Sequence, residues 1–74
     1  MSNKSIERIN RERTIPLERY QEEGAESRYE YLTDLAENAG VDLEMVLTLI
    51  DVLGPNEDFD GLVSMTEDLA MGAF

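Results

Sequence analysis

The chain has 74 residues, no cysteine and no histidine, and 17 acidic against 6 basic side chains for a formal charge of -11. Disulfides, thiolate nucleophiles, zinc sites built on Cys or His and the usual neutral-pH base are all excluded. A charge of this sign repels nucleic acid phosphate and anionic lipid, no run approaches membrane-spanning length and Met1–Ser5 is no secretion signal, so a soluble cytoplasmic protein is expected.

The charge is unevenly placed. Residues 1–28 carry six acids and six bases, Lys4, Arg8, Arg11, Arg13, Arg19 and Arg28, whereas residues 29–74 carry eleven acids and no base. The negative field therefore belongs to the C-terminal two thirds. An apolar share of 42% argues for a folded chain, near the lower size limit for a self-sufficient core, where a partner subunit can help complete it.

Taken in order, residues 1–15 are polar and mixed in charge, apolar only at Ile6, Ile9 and Ile15, and predict an arm or a loose helix ahead of a compact acidic helical domain over 16–74. Pro16 suits the first turn of a helix that Leu17 and Tyr20 would anchor and Gly24 would stop. Ser27 with Glu30 three residues on forms a capping box, and Tyr29, Leu32, Leu35, Ala36 and Ala39 follow at helical spacing until Gly40. Asp42 is placed to cap the next helix, flanked by Val41 and Val46 at staple spacing. Residues 43–53 are apolar nearly all round, which predicts either a central helix or a homodimer seam. Gly54 and Pro55 end it. Asn56 or Asp58 would start a last helix with Phe59, Leu62, Val63, Leu69 and Ala70 inward. Pro and Gly recur at helix-length intervals and alternation is short-lived, so the expected fold is all-α, a small bundle of three to five short helices.

The stretch from Leu32 to Leu53 resembles a helix-turn-helix unit. Leu35 and Ala36 would pack its first helix, Gly40 would make the turn, and Val41, Val46 and Leu49 would seat the second. The resemblance implies a corner motif, not a family. A DNA-reading version presents Arg, Lys, Asn, Gln or Ser to phosphates and base edges, whereas here the outward candidates are Asp42, Glu44, Thr48 and Asp51. In the N-terminal segment Glu7, Glu12 and Glu18 offset the arginines, and direct DNA binding is not the expectation.

Asn56 to Glu67 resembles the twelve-residue EF-hand loop. That resemblance implies calcium as a cofactor, held by Asn56, Asp58, Asp60, the Leu62 carbonyl, Ser64 directly or through water, and a bidentate Glu67, with Gly61 at the sharp turn. Asn at the first position, a helix broken by Gly54 and Pro55, and a single loop all depart from the pattern. The alternative is a capped amphipathic helix that uses the same Phe59, Leu62 and Val63.

No catalytic constellation stands out. There is no His or Cys for a nucleophile–base pair and no Gly-rich phosphate loop; Ser27 and Ser64 read as a cap and a turn residue, and Tyr20, Tyr29 and Tyr31 as core edges or interface anchors. A non-enzyme is expected: a small acidic protein-binding regulator or inhibitor, of the kind small phage-encoded regulators often are. Its most specific form is a nucleic-acid mimic occupying a basic groove on a nucleic-acid-binding protein. Glu30, Asp34, Glu37, Asp42, Glu44 and Asp51 are the candidate contact residues. A calcium-binding interaction domain and a helix-turn-helix transcriptional regulator are the alternatives.

Overall fold

The computed structural model of the chain describes residues 3–72, with side chains placed for residues 6–72. Met1 and Ser2, part of the stretch read as no secretion signal, and the last two residues of the 16–74 segment lie outside them. The described residues form an all-α fold of five short helices: α1 (Asn3–Arg11), α2 (Leu17–Glu22), α3 (Arg28–Ala39), α4 (Leu43–Leu53) and α5 (Gly61–Ala70), with a 3-10 turn at Pro55–Glu57. None is long and apolar enough to cross a membrane.

Helix α3 is the centre of the arrangement. Its ends follow local chemistry. Ser27 is extended, and its Oγ accepts the Glu30 N–H at 3.2 Å. A second free donor of the first turn, the Tyr29 N–H, is met from outside the helix by Asn10 Oδ1 at 3.0 Å. At the other end Gly40 takes a left-handed φ of 73°, and the Gly40 and Val41 N–H groups bond back to the carbonyls of Glu37 and Ala36. This cap turns the chain straight into α4, and α3 packs on α4 in a helix-turn-helix-like corner.

Helices α3, α4 and α5 pack on one another, while α1 and α2 lie against α3. The shared core contains Ile9, Tyr20, Ala25, Tyr31, Leu32, Ala36, Val46, Leu49, Ile50 and Leu62. Ile9 brings α1 into that core, and Ile15 packs against it, so the N-terminal segment is docked on the core and is helical over Asn3–Arg11. The radius of gyration, 11.4 Å, matches the roughly 11 Å expected of a compact chain of this length.

Several local expectations are corrected. Asp42 has the backbone of a cap residue, φ −71° and ψ 142°, but its side chain makes no capping bond. The last helix begins at Gly61 and not at Asn56 or Asp58, because Asp58 is drawn inward and the Glu57 carboxylate accepts the Gly61 N–H instead, at 3.3 Å. Gly61 admits that carboxylate: a Cβ there would lie 2.9 Å from Glu57 Oε2. Ala70, expected inward, is exposed. Helix α4 buries Val46, Leu49 and Ile50 on its inner side and leaves Met45 (44%) and Val52 (76%) exposed.

Candidate functional site

The most charged feature of the interior sits where α1, α2, α3 and the turn before α5 meet. Arg28, 2% exposed, and Asp58, 0% exposed, form an ion pair with Arg28 Nε donating to Asp58 Oδ2 at 2.7 Å and Nη2 donating to Oδ1 at 3.2 Å. Tyr20 donates its hydroxyl to the same Oδ2 at 2.7 Å, and Arg28 Nη1 reaches the Ile9 carbonyl at 3.1 Å. Tyr31 closes the cluster from the other side, its hydroxyl donating to the Asp58 backbone carbonyl at 2.9 Å. A carboxylate and a guanidinium removed from water are tolerable only when their hydrogen-bonding positions are filled this completely. The pair is sealed from solvent and joins four parts of the chain; its chemistry is structural.

Burial pushes the hydroxyls of both tyrosines up. For Tyr20 the hydrogen bond to Asp58 and that group's negative charge add to the effect. Tyr31 is pushed up to about 12 by burial and by the charges of Asp58 and Glu23, with Arg19 acting the other way. The rings of Tyr20, Tyr31 and Phe59 form a triangle with centroids 4.7–5.3 Å apart, a geometry in which tilted and edge-on aromatic contacts are favourable.

The exterior carries the opposite pattern. Glu30, Asp34 and Glu37 recur at i, i+4 and i+7 along α3 and share one side of it. Asp42 and Glu44 stand at the start of α4, beside Tyr29 and Leu43 around a surface cleft of about 400 Å³. Asp51 lies two turns further along α4. Glu37, Asp42, Glu44 and Asp51 are exposed, and Glu30 and Asp34 are half-buried. Among the described residues none of the six enters an ion pair. Arg8 is held more basic than usual by its 2.8 Å hydrogen bond to Glu12, by the charge of Glu12, and by the charge of Asp51.

A second cleft, about 340 Å³, opens on the other side of α3. It is lined by Glu23 at the end of α2, Tyr31, Asp34, Leu35 and Asn38 on α3, and Phe59 and Val63. Arg19 places its guanidinium 4.9 Å from the centroid of Phe59, one wall of this cleft. Of the six expected contact residues, Asp34 borders this cleft and Asp42 and Glu44 border the other.

The residues expected to hold calcium are divided between the turn at Pro55–Glu57, the buried junction and α5. Asp58 has both carboxylate oxygens committed to Arg28, with Tyr20 on one of them. Asn56 Oδ1 accepts the Thr14 hydroxyl. Leu62, Ser64 and Glu67 are already inside α5, where a helical backbone replaces the open loop that would aim a carbonyl and side chains at one ion. Among the described residues no three acidic side chains converge as a metal site would require.

Sequence reasoning missed the Arg28–Asp58 pair. The available signal was that Arg28 is the last base before an all-acidic stretch and sits at the first position of a capped helix, where a cation is unfavourable unless it has an anionic partner. The partner, 30 residues away, has no local signature. No family model, no curated protein and no solved structure matches the chain.

Proposed function

We propose that this chain is a small acidic protein-binding regulator or inhibitor that seats the carboxylate side of α3 and α4 on a basic surface of a partner protein, in its most specific form a groove that otherwise holds nucleic acid. The observation that supports this reading is the sorting of charge by the fold. Arg28 is consumed inside by Asp58, Arg8 is engaged by Glu12, and Arg19 lies over Phe59. Glu30, Asp34, Glu37, Asp42 and Glu44 remain on the α3–α4 exterior, outside any ion pair among the described residues. Carboxylates left in water around a rigid corner steer a cationic partner into encounter and repel polyanions.

The helix-turn-helix-like corner sharpens the point. In a DNA-reading protein the second helix of such a corner enters the major groove. Here that helix is α4, and its outward residues include Glu44, Thr48 and Asp51. The same geometry with the charge reversed suits a surface built for phosphates, not the phosphates themselves.

The test is affinity capture followed by a salt series on the captured complex. A basic partner is expected, its affinity falling steeply as salt is raised through the range where the Debye length shrinks from about 30 to about 8 Å, with duplex DNA competing for it. Retention of duplex DNA by this chain alone at physiological ionic strength, or a complex indifferent to salt, would overturn the reading.

A further inference from the structure

The cleft bordered by Glu23 and Asp34 has the larger apolar and aromatic lining of the two clefts, Tyr31, Leu35, Phe59 and Val63 against Tyr29 and Leu43 beside Asp42 and Glu44. Glu23 caps the end of α2 and Asp34 lies on α3, Asn38 adds an amide one turn from Asp34, and Leu35, Phe59 and Val63 supply the apolar lining. A volume of about 340 Å³ is near the bottom of the range for ligand pockets, suited to one side chain and too small for a helix or strand.

These walls discriminate among cations. A metal ion or an ammonium is strongly hydrated and gains little beside Leu35 and Val63. A guanidinium is planar and weakly hydrated, stacks on aromatic faces, and pairs with carboxylates through a fork of donors. The molecule already contains one example of this contact, the guanidinium of Arg19 against the Phe59 ring at 4.9 Å. The charge that Arg19 brings is outweighed locally by the two carboxylates.

Building on the protein-binding role above, we propose that this cleft receives one arginine side chain of the partner protein, its guanidinium between Glu23 and Asp34 and its methylene stem along Leu35 and Val63. Arginine in a desolvated pocket is a common anchor of protein interfaces, and here it would fix the orientation of a complex whose long-range attraction comes from the wider α3–α4 face.

The experiment is an amide-resolved NMR titration of the full chain at low salt with N-acetyl-arginine methylamide, and in parallel with N-acetyl-lysine methylamide. One saturable site is expected, with shifts centred on Asp34, Asn38 and Val63, and several-fold tighter binding of the arginine probe. The double change Glu23→Gln with Asp34→Asn should weaken it about tenfold, whereas Glu7→Gln with Asp68→Asn, which removes the same charge from exposed positions on α1 and α5, should leave it within about twofold. Glu23→Gln alone, at an exposed position, serves if the double variant unfolds earlier than the parent. Equal weakening by both pairs, or shifts on α4 with none at the cleft, would overturn the arginine site and leave the charge-led protein-binding role standing. Loss of both the probe response and the salt-sensitive complex would sink the two together.

Discussion

Asp58 and Asp34 are the same chemical group in opposite surroundings. Asp58 lies in the junction of α1, α2, α3 and the turn before α5, with Arg28 and Tyr20 on its oxygens. Asp34 lies on the outer part of α3, at the border of a cleft, outside any ion pair among the described residues. In the junction, charge is neutralised and joins segments that lie far apart in the chain. On the exterior, charge is left unneutralised and contributes little to holding the fold. The contrast separates stability from recognition: one region should respond to substitution by unfolding, the other by losing partners.

The largest effect should come from breaking the junction. Asp58→Ala leaves the Arg28 guanidinium buried without its anion and removes the acceptor of the Tyr20 hydroxyl, at an expected cost of about 3–5 kcal/mol, measured by urea unfolding. Replacing Arg28 and Asp58 together by apolar residues should cost less than the sum of the single changes. Strict additivity would show that the two do not act as a pair.

Alkaline pH probes the same region through its tyrosines. Their hydroxyls are raised in the folded state, so the fold binds their protons more tightly than the unfolded chain does. The stability they contribute is fully present below the unfolded tyrosine value of about 10 and is lost as pH rises through the folded values. For Tyr31 that window ends at about 12, and Tyr20 shifts in the same direction. The expected loss is a few kcal/mol, and tyrosinate absorbance should appear together with unfolding. Early ionisation of Tyr20 and Tyr31 in a chain that stays folded would contradict the sealed junction.

A smaller cost is expected at the corner that presents the acidic face. Gly40 has a left-handed φ of 73° with open space where a Cβ would stand, so Gly40→Ala should lose only the backbone preference, about 1–2 kcal/mol. A much larger loss in thermal unfolding would mean that packing, not conformation, selects glycine there. Thr66 is buried with no partner for its hydroxyl. Thr66→Val keeps the shape and removes the orphan, and stability should stay level or rise by about 1 kcal/mol. A clear fall would reveal a hydrogen bond made by that hydroxyl in solution.

The smallest stability effect should come from the exterior. Glu37→Gln and Glu44→Gln should each change unfolding by no more than about 0.5 kcal/mol, while together they weaken capture of the basic partner and flatten its salt dependence. Unchanged binding with both charges gone would confine recognition to other parts of the surface.

Much of the fold was legible because its signals are local. Ser27 with Glu30, and Gly40 after Ala39, are boundaries written within a few residues, since a helix end must satisfy its own free N–H and C=O groups. The apolar spacing of Leu35, Ala36, Val41, Val46 and Leu49 pointed to the corner in the same way. The calcium-loop pattern over Asn56 to Glu67 shows where local reading stops. Spacing records which oxygens are available, and the inward pull of Arg28 on Asp58 decides where one of them goes. The six exterior carboxylates were readable as candidates from the charge split, but the Glu23–Asp34 cleft was not, because its walls come from α2, α3 and the residues flanking the start of α5.

By itself the sequence determined the helical class, the caps of α3 and the excess of negative charge toward the C-terminus, because propensity, capping and net charge are properties of neighbouring residues or of simple sums. Tertiary structure decided which arginine and which aspartate would be buried together, that α1 would dock through Ile9 and Asn10, and which carboxylates would face water. Those choices depend on distances between residues far apart in the chain, and only the folded backbone sets them.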